Sequence, residues 1–299
     1  YMDLRNCTKQ ELSQMPYEYV CEAYYQHNPN AVWILGVFFR HGKNGAPQNY
    51  EKARQLLEIA YEYEGAGSGF ILGNIYEEGL GTTVDLKKAE DYYCAFSEET
   101  HDPTGYSAAA FLYLKNENLP NRDEKIPEYL KKSEALGGCP LSDTLIGQLY
   151  IAGTPDFPKD INKAVFYLER SKNYKILGDL FSDEKNIEPN YKLASYYHEL
   201  GMSDNMDCCA KYAFLNLYYG SINESWTNVP KGISVAKKYL KTNNNYESSF
   251  FILKAMFLFL IKRKILKVLN CVLIIYILLV NVIVILKIKI NYIIQLLIH

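Results

Sequence analysis

The sequence has no Cys-x-x-Cys pair, no His-Glu-x-x-His and no His-x-His. Its seven cysteines, Cys7, Cys21, Cys94, Cys139, Cys208, Cys209 and Cys271, are odd in number and irregularly spaced. That pattern gives neither a structural zinc site nor a disulfide ladder, and reduced, buried thiols are expected. The five histidines are scattered, and His41 and His198 are expected at the surface. Gly65–Gly69 (GAGSG) faintly suggests a phosphate loop, but no Lys-Ser/Thr pair follows it, so an inter-repeat turn is expected there. No catalytic, metal or cofactor site emerges, and Glu62, Glu64, Glu77 and Glu78 are expected on a solvated helix face.

Surplus positive charge is also missing from most of the chain. Residues 250–299 hold seven Lys or Arg and no acid, which leaves 25 basic against 34 acidic residues in 1–249, a balance of −9. Such a body argues against nucleic acid as the main partner, because phosphate binding needs clustered cations. With 11 Pro but 27 Tyr, the chain has the composition of an ordered protein rather than of a disordered acidic segment. The sequons Asn6-Cys7-Thr8 and Asn223-Glu224-Ser225 do not assign a secretory compartment. No signal peptide is visible, although a chain starting at Tyr1 could not show one that had been trimmed.

What is present is a period. A small residue precedes an aromatic by three at Gly36/Phe39, Gly73/Tyr76, Ala110/Tyr113, Gly147/Tyr150 and Gly178/Phe181; the aromatic alone continues at Tyr218 and Phe257. Most steps are 37 residues, with one of 31 before Gly178 and one of 39 before Phe257. Ala53, Ala89 and Ala164 follow their glycines by 16 or 17, with Pro127, Leu193 and Val235 in the matching places of weaker units. Asn49, Asp85, Asp123 and Asp160 lie four positions earlier as helix N-caps, and Lys stands just before Ala53, Ala89, Ala164 and Leu193. The spacing predicts pairs of antiparallel helices. Gly73 costs about 1 kcal/mol of helix propensity, tolerable if it admits a close partner helix carrying Ala89. Tyr76 fills the seam, Gly79 and Gly81 stop the first helix, and Asp85 starts the second. Residues 9–27 form a leading helix, with Tyr17, Val20, Tyr24 and Tyr25 on one side.

The run LGxxYxxGxG…DxxKAxxYY at Leu72–Tyr93 resembles the Sel-1-like repeat, a relative of the tetratricopeptide repeat with a longer turn between its helices. The unit at 146–168 matches through Gly147, Tyr150, Gly153, Asp160, Ala164 and Tyr167, and the resemblance extends over about 30–242. It implies an all-α solenoid, a right-handed superhelix of five to six helix pairs over residues 1–249. The units fall at about 30–62, 68–96, 107–136, 143–171, 174–200 and 210–242. It also implies a non-enzymatic adaptor or scaffold that binds other proteins on a concave face, in signalling or in quality control. The family includes the membrane subunit that recruits clients to an endoplasmic-reticulum ubiquitin ligase. A docked partner would meet first-helix positions one and four beyond the small residue: Val37, Arg40, Asn74, Glu77, Gln148, Ile151 and Asp179.

From 250 onward there is no Gly, Pro, Ser, Thr, Asp, Glu or Trp. Val268–Leu286 is a 19-residue uncharged run, near the length that spans a bilayer. Lys262, Arg263, Lys264 and Lys267 precede it while Lys287 and Lys289 follow, which would keep the repeats in the cytosol. Three readings stay open for this tail: a membrane anchor, read-through of A/T-rich noncoding sequence, or a buried helix. The repeats are expected in the cytoplasm, with attachment to the endoplasmic-reticulum membrane as the alternative.

Overall fold

The computed structural model describes residues 3–220, 225–242 and Ile252. The described residues form α-helices and short 3-10 turns with no strand among them. The uncharged run at 268–286 lies outside the described residues, and no described helix is long and apolar enough to cross a membrane.

The chain divides into two compact units, Tyr1–Ser171 and Lys172–His299. The first holds α1 (Lys9–Gln14), α2 (Tyr17–Tyr25) and four hairpins. These are α3 (Pro29–His41) with α4 (Tyr50–Glu64), α5 (Gly69–Glu78) with α6 (Leu86–Thr100), α7 (Thr104–Lys115) with α8 (Arg122–Ala135), and α9 (Pro140–Ala152) with α10 (Ile161–Arg170). The second unit holds two more: α11 (Tyr174–Ser182) with α12 (Tyr191–Leu200), and α13 (Met206–Gly220) with α14 (Val229–Thr242). The leading segment is two helices rather than one, broken at Met15–Pro16 because proline cannot continue a helix. Val20 is buried, while Tyr24 and Tyr25 are exposed.

The hairpin closes the same way four times. The N-cap residue donates its backbone N–H to the carbonyl of the seam aromatic: Asn49 to Phe39 (2.8 Å), Asp85 to Tyr76 (2.9 Å), Asp160 to Tyr150 (3.0 Å) and Asn190 to Phe181 (2.9 Å). Each cap side chain then accepts the N–H three residues on, as Asp85 does from Lys88 at 3.0 Å, supplying one of the helix's unpaired donors with an acceptor. The lysine of the Lys-Ala pair serves the same joint. Lys52, Lys88 and Lys163 hold their ammonium groups 5.5, 4.8 and 5.2 Å from the ring centres of Phe39, Tyr76 and Tyr150. Ala53, Ala89 and Ala164 beneath them are fully buried.

Both glycines of the Gly-x-Gly turn have work to do. Gly79 caps α5 in the left-handed region at φ 68°. Gly81 (φ 66°) also presses on the preceding hairpin, where a Cβ would stand 2.4 Å from the backbone nitrogen of Glu51. Within the helix, a Cβ on Gly73 would come 2.4 Å from the Tyr93 ring. The residue covering the small position recurs as Leu57, Tyr93, Leu168 and, in the fifth hairpin, His198.

Three details of the expected register change. In the third hairpin Asp123 is no cap; its side chain is 95% exposed and the N-cap is Asn121, which lies in the left-handed region and makes no side-chain cap. Arg122 supplies the missing closure by donating from Nε to the Tyr113 carbonyl at 3.1 Å. In the fifth hairpin Asn190 caps Leu193, so the fully buried marker is Ala194 and not Leu193. In the sixth, Asn228 caps Lys231 and sends its N–H to Asn216 Oδ1 at 2.6 Å. The seam residue there is Asn216, three after the buried Ala213, and Tyr218 is 38% exposed instead of filling the seam.

Candidate functional site

The first-helix faces carry the expected contact residues. Val37 and Arg40 are half-buried on α3, and Asn74 and Glu77 half-buried on α5. Gln148 is exposed and Ile151 half-buried on α9, and Asp179 is half-buried on α11. Two of them tie neighbouring first helices together. Glu77, with a side chain only 12% exposed, accepts from Tyr93 Oη at 2.9 Å and from Lys115 Nζ of α7 at 3.3 Å. It is therefore not part of a solvated face. Asp179 pairs with Lys211 of α13 and with Lys175 at 3.0 Å. Asn74 donates to the Phe70 carbonyl of its own helix at 2.8 Å.

Asp179 lies in a groove of about 590 Å³ within the second unit. α11 contributes Asp179 and Ser182, the positions one and four beyond Gly178, and Asp183 follows. Tyr191 closes one end, and α13 supplies Lys211, Phe214, Tyr218 and Tyr219. The sequence names Asp179 for this face and assigns no contact residue on α13.

Behind the groove sits His198, which is fully buried and not at the surface. Its ring packs on Gly178, and Nε2 is 3.7 Å from Asp179 Oδ1. Neither ring nitrogen makes a hydrogen bond. Burial lowers its pKa to about 4; Asp179 works against this, while Lys211 and Lys175 add to it. Its position on α12 is the one that Leu57 and Leu168 occupy elsewhere, so an apolar slot has dictated its environment.

A second polar centre lies inside the first unit. Glu90, 4% exposed, accepts from Tyr113 Oη at 3.1 Å, from Tyr129 Oη and from Lys87 Nζ at 3.0 Å. Burial pushes its carboxyl up, and the hydrogen bonds from Tyr129, Lys87 and Tyr113 outweigh this and hold it below the usual range. Burial and then Glu90 push Tyr113 up to about 12. Every one of these groups is engaged by another, which makes the cluster a strut between hairpins. The turn at Gly65–Gly69 is likewise structural: Ala66 N–H donates to Glu99 Oε2 at 2.9 Å in a 3-10 turn between hairpins. Among the described residues no three His, Cys, Asp or Glu side chains stand close enough to hold a metal ion.

Comparison with known proteins agrees with this geometry. The Sel1 repeat family model matches residues 29–62, 70–101 and 141–173. No curated protein matches the sequence. Among solved structures, a protective antigen of uropathogenic Escherichia coli with an SLR fold is similar at TM-score 0.63 and 15% identity. The match covers 79% of this chain and 50% of that one, so this chain spans about half the length of the Escherichia coli protein. A Sel1 repeat protein from Oxalobacter formigenes is similar at TM-score 0.59 and 17% identity, covering 79% of this chain and 100% of that one. At such identities the likeness is one of fold. Three of the hairpins, α3–α4, α5–α6 and α9–α10, are Sel1 repeats, and the described chain shares the helical-hairpin fold of its Sel1-repeat neighbours.

Proposed function

We propose that this chain is a protein-interaction adaptor that holds a partner against its first-helix faces and performs no chemistry of its own. Sel1-repeat proteins are generally protein-interaction scaffolds. The observation that carries the reading for this chain is the groove between α11 and α13, where repeat geometry sets Asp179 and Ser182 beside the exposed Tyr218 and the half-buried Phe214 and Tyr219. Repeat proteins offer such faces because each hairpin packs only on its neighbours and leaves one side unspent. Val37, Arg40, Asn74, Gln148 and Ile151 would extend the contact on the first unit. The test is to compare proteins captured from cells by the wild type with those captured by a variant carrying Asp183→Lys and Tyr218→Ala. Helix content and melting temperature are checked in parallel. Loss of specific partners is expected, and an unchanged set with an intact fold would reject the reading.

The heavier positive charge ahead of 268–286 supports a cytosolic position for the repeats. Fractionation of cells expressing the full gene tests this, with the terminus confirmed by mass spectrometry. Release of the protein by an alkaline wash would remove support for an anchor.

A further inference from the structure

The aromatic side of the second unit's groove has an order that points to a particular occupant. Phe214 and Tyr218, one helical turn apart, stack with ring centres 5.6 Å apart. Tyr218 meets Tyr219 edge-on at 5.1 Å, and Tyr219 stacks on Tyr191 at 4.6 Å. Trp226 backs Tyr219 at 5.5 Å. The rings brace one another, so the aromatic wall is set before anything binds.

Charge along the groove is uneven. Lys211 and Lys175 both face Asp179, which leaves that end with no spare negative charge. At the Tyr191 end, Asp183 takes part only in a local turn, accepting from Lys185 N–H at 2.9 Å. Glu184 beside it accepts from Tyr191 Oη at 3.4 Å. Two carboxylates at that end have no ion pair among the described residues.

We infer that this groove takes an extended, proline-rich segment of a partner protein with one arginine or lysine beside the prolines. The inference rests on the adaptor reading. Pyrrolidine rings pack on the wall formed by Phe214, Tyr218 and Tyr219, and because a polyproline helix is extended and already ordered, docking it costs little entropy. The cation falls at Asp183 and Glu184, where opposite charge fixes the direction of the chain. An amphipathic helix would need a continuous apolar wall, and this groove is interrupted by Asp179, Ser182 and Lys211. An acidic peptide would meet Asp183 and Glu184.

The experiment measures fluorescence anisotropy of labelled synthetic peptides titrated with the full chain. One peptide carries several prolines and a flanking arginine, a second replaces the arginine with glutamate, and a third replaces the prolines with alanine. The first is expected to bind at least tenfold more tightly than either of the others. Tyr218→Ala should weaken it at least tenfold, and Asp183→Lys should reverse the preference between arginine and glutamate. No binding of the first peptide, equal binding of all three, or indifference to both substitutions would overturn the inference. The outcomes separate it from the adaptor reading. Partner capture lost in Tyr218→Ala without peptide binding sinks this inference alone, whereas unchanged capture without peptide binding sinks both.

Discussion

The guanidinium of Arg122 donates to the main-chain carbonyl of Tyr113 at 3.1 Å, where the first, second, fourth and fifth hairpins use a backbone N–H. A side chain has replaced a piece of main chain at the same joint. Arg122→Ala should therefore destabilise the first unit by about 1–2 kcal/mol, the worth of a hydrogen bond with one charged partner. Urea unfolding measures it, and amide exchange should quicken first in the α7–α8 turn. A change within error would mean that the joint is held by packing alone.

Gly73 trades helix propensity for proximity. Gly73→Ala gains about 1 kcal/mol of propensity but sets a methyl group against the Tyr93 ring. Overpacking of this kind costs roughly 1–3 kcal/mol, so a net loss of stability is expected by thermal melting. Gly67 is the control. A Cβ there meets nothing within 4 Å, and Gly67→Ala should be neutral.

His198 makes the second unit sensitive to acid. Its folded pKa of about 4 lies below the ordinary 6.5, so the unfolded chain takes up a proton that the folded unit refuses. The stability is complete above pH 6.5 and drains away as pH falls toward 4, by about 3 kcal/mol at most. Asp179 acts in a lower window. Its carboxyl is held below 3.8, burial notwithstanding, by Lys211 and Lys175, so its contribution is lost only under more acid conditions. Melting temperature against pH should show the slope, and His198→Leu should flatten it between pH 6.5 and 4.

Glu90 gives the opposite kind of test. Glu90→Leu leaves the hydroxyls of Tyr113 and Tyr129 without their acceptor and should cost about 2 kcal/mol or more. Glu90→Gln, which keeps an acceptor oxygen, should cost less. Chemical denaturation of both variants decides whether the carboxylate is a strut or an ornament.

Much of the joint was legible before any coordinates. Asn49, Asp85 and Asp160 cap where their spacing places them, and the Phe39, Tyr76 and Tyr113 rings are buried as the seam requires. These features are local, fixed by a few residues in a row. The errors arise where one group replaces another. Asp123 looks like a cap, but Arg122 closes that hairpin with a side chain, which no spacing rule anticipates. Tyr218 continues the aromatic series by eye, yet Asn216, two residues earlier, makes the connection through its side-chain oxygen. His198 sits in a slot that elsewhere holds leucine, so its burial is decided by Gly178 rather than by its own polarity. The groove partly followed from the repeat: Asp179 was named, while no contact residue was assigned to α13, which supplies Phe214 and Tyr219. Two expected contact residues, Glu77 and Asp179, also brace neighbouring first helices through partners distant in sequence.

The bond from cap amide to seam carbonyl uses only atoms that every residue but proline carries. Connecting segments can thus drift in composition, and shift from a spacing of nine between Tyr76 and Asp85 to ten between Phe39 and Asn49, while the latch stays shut. A gene built from such latches can duplicate, trim or reshuffle its cassettes and still yield hairpins that close, leaving the outward residues free to diverge.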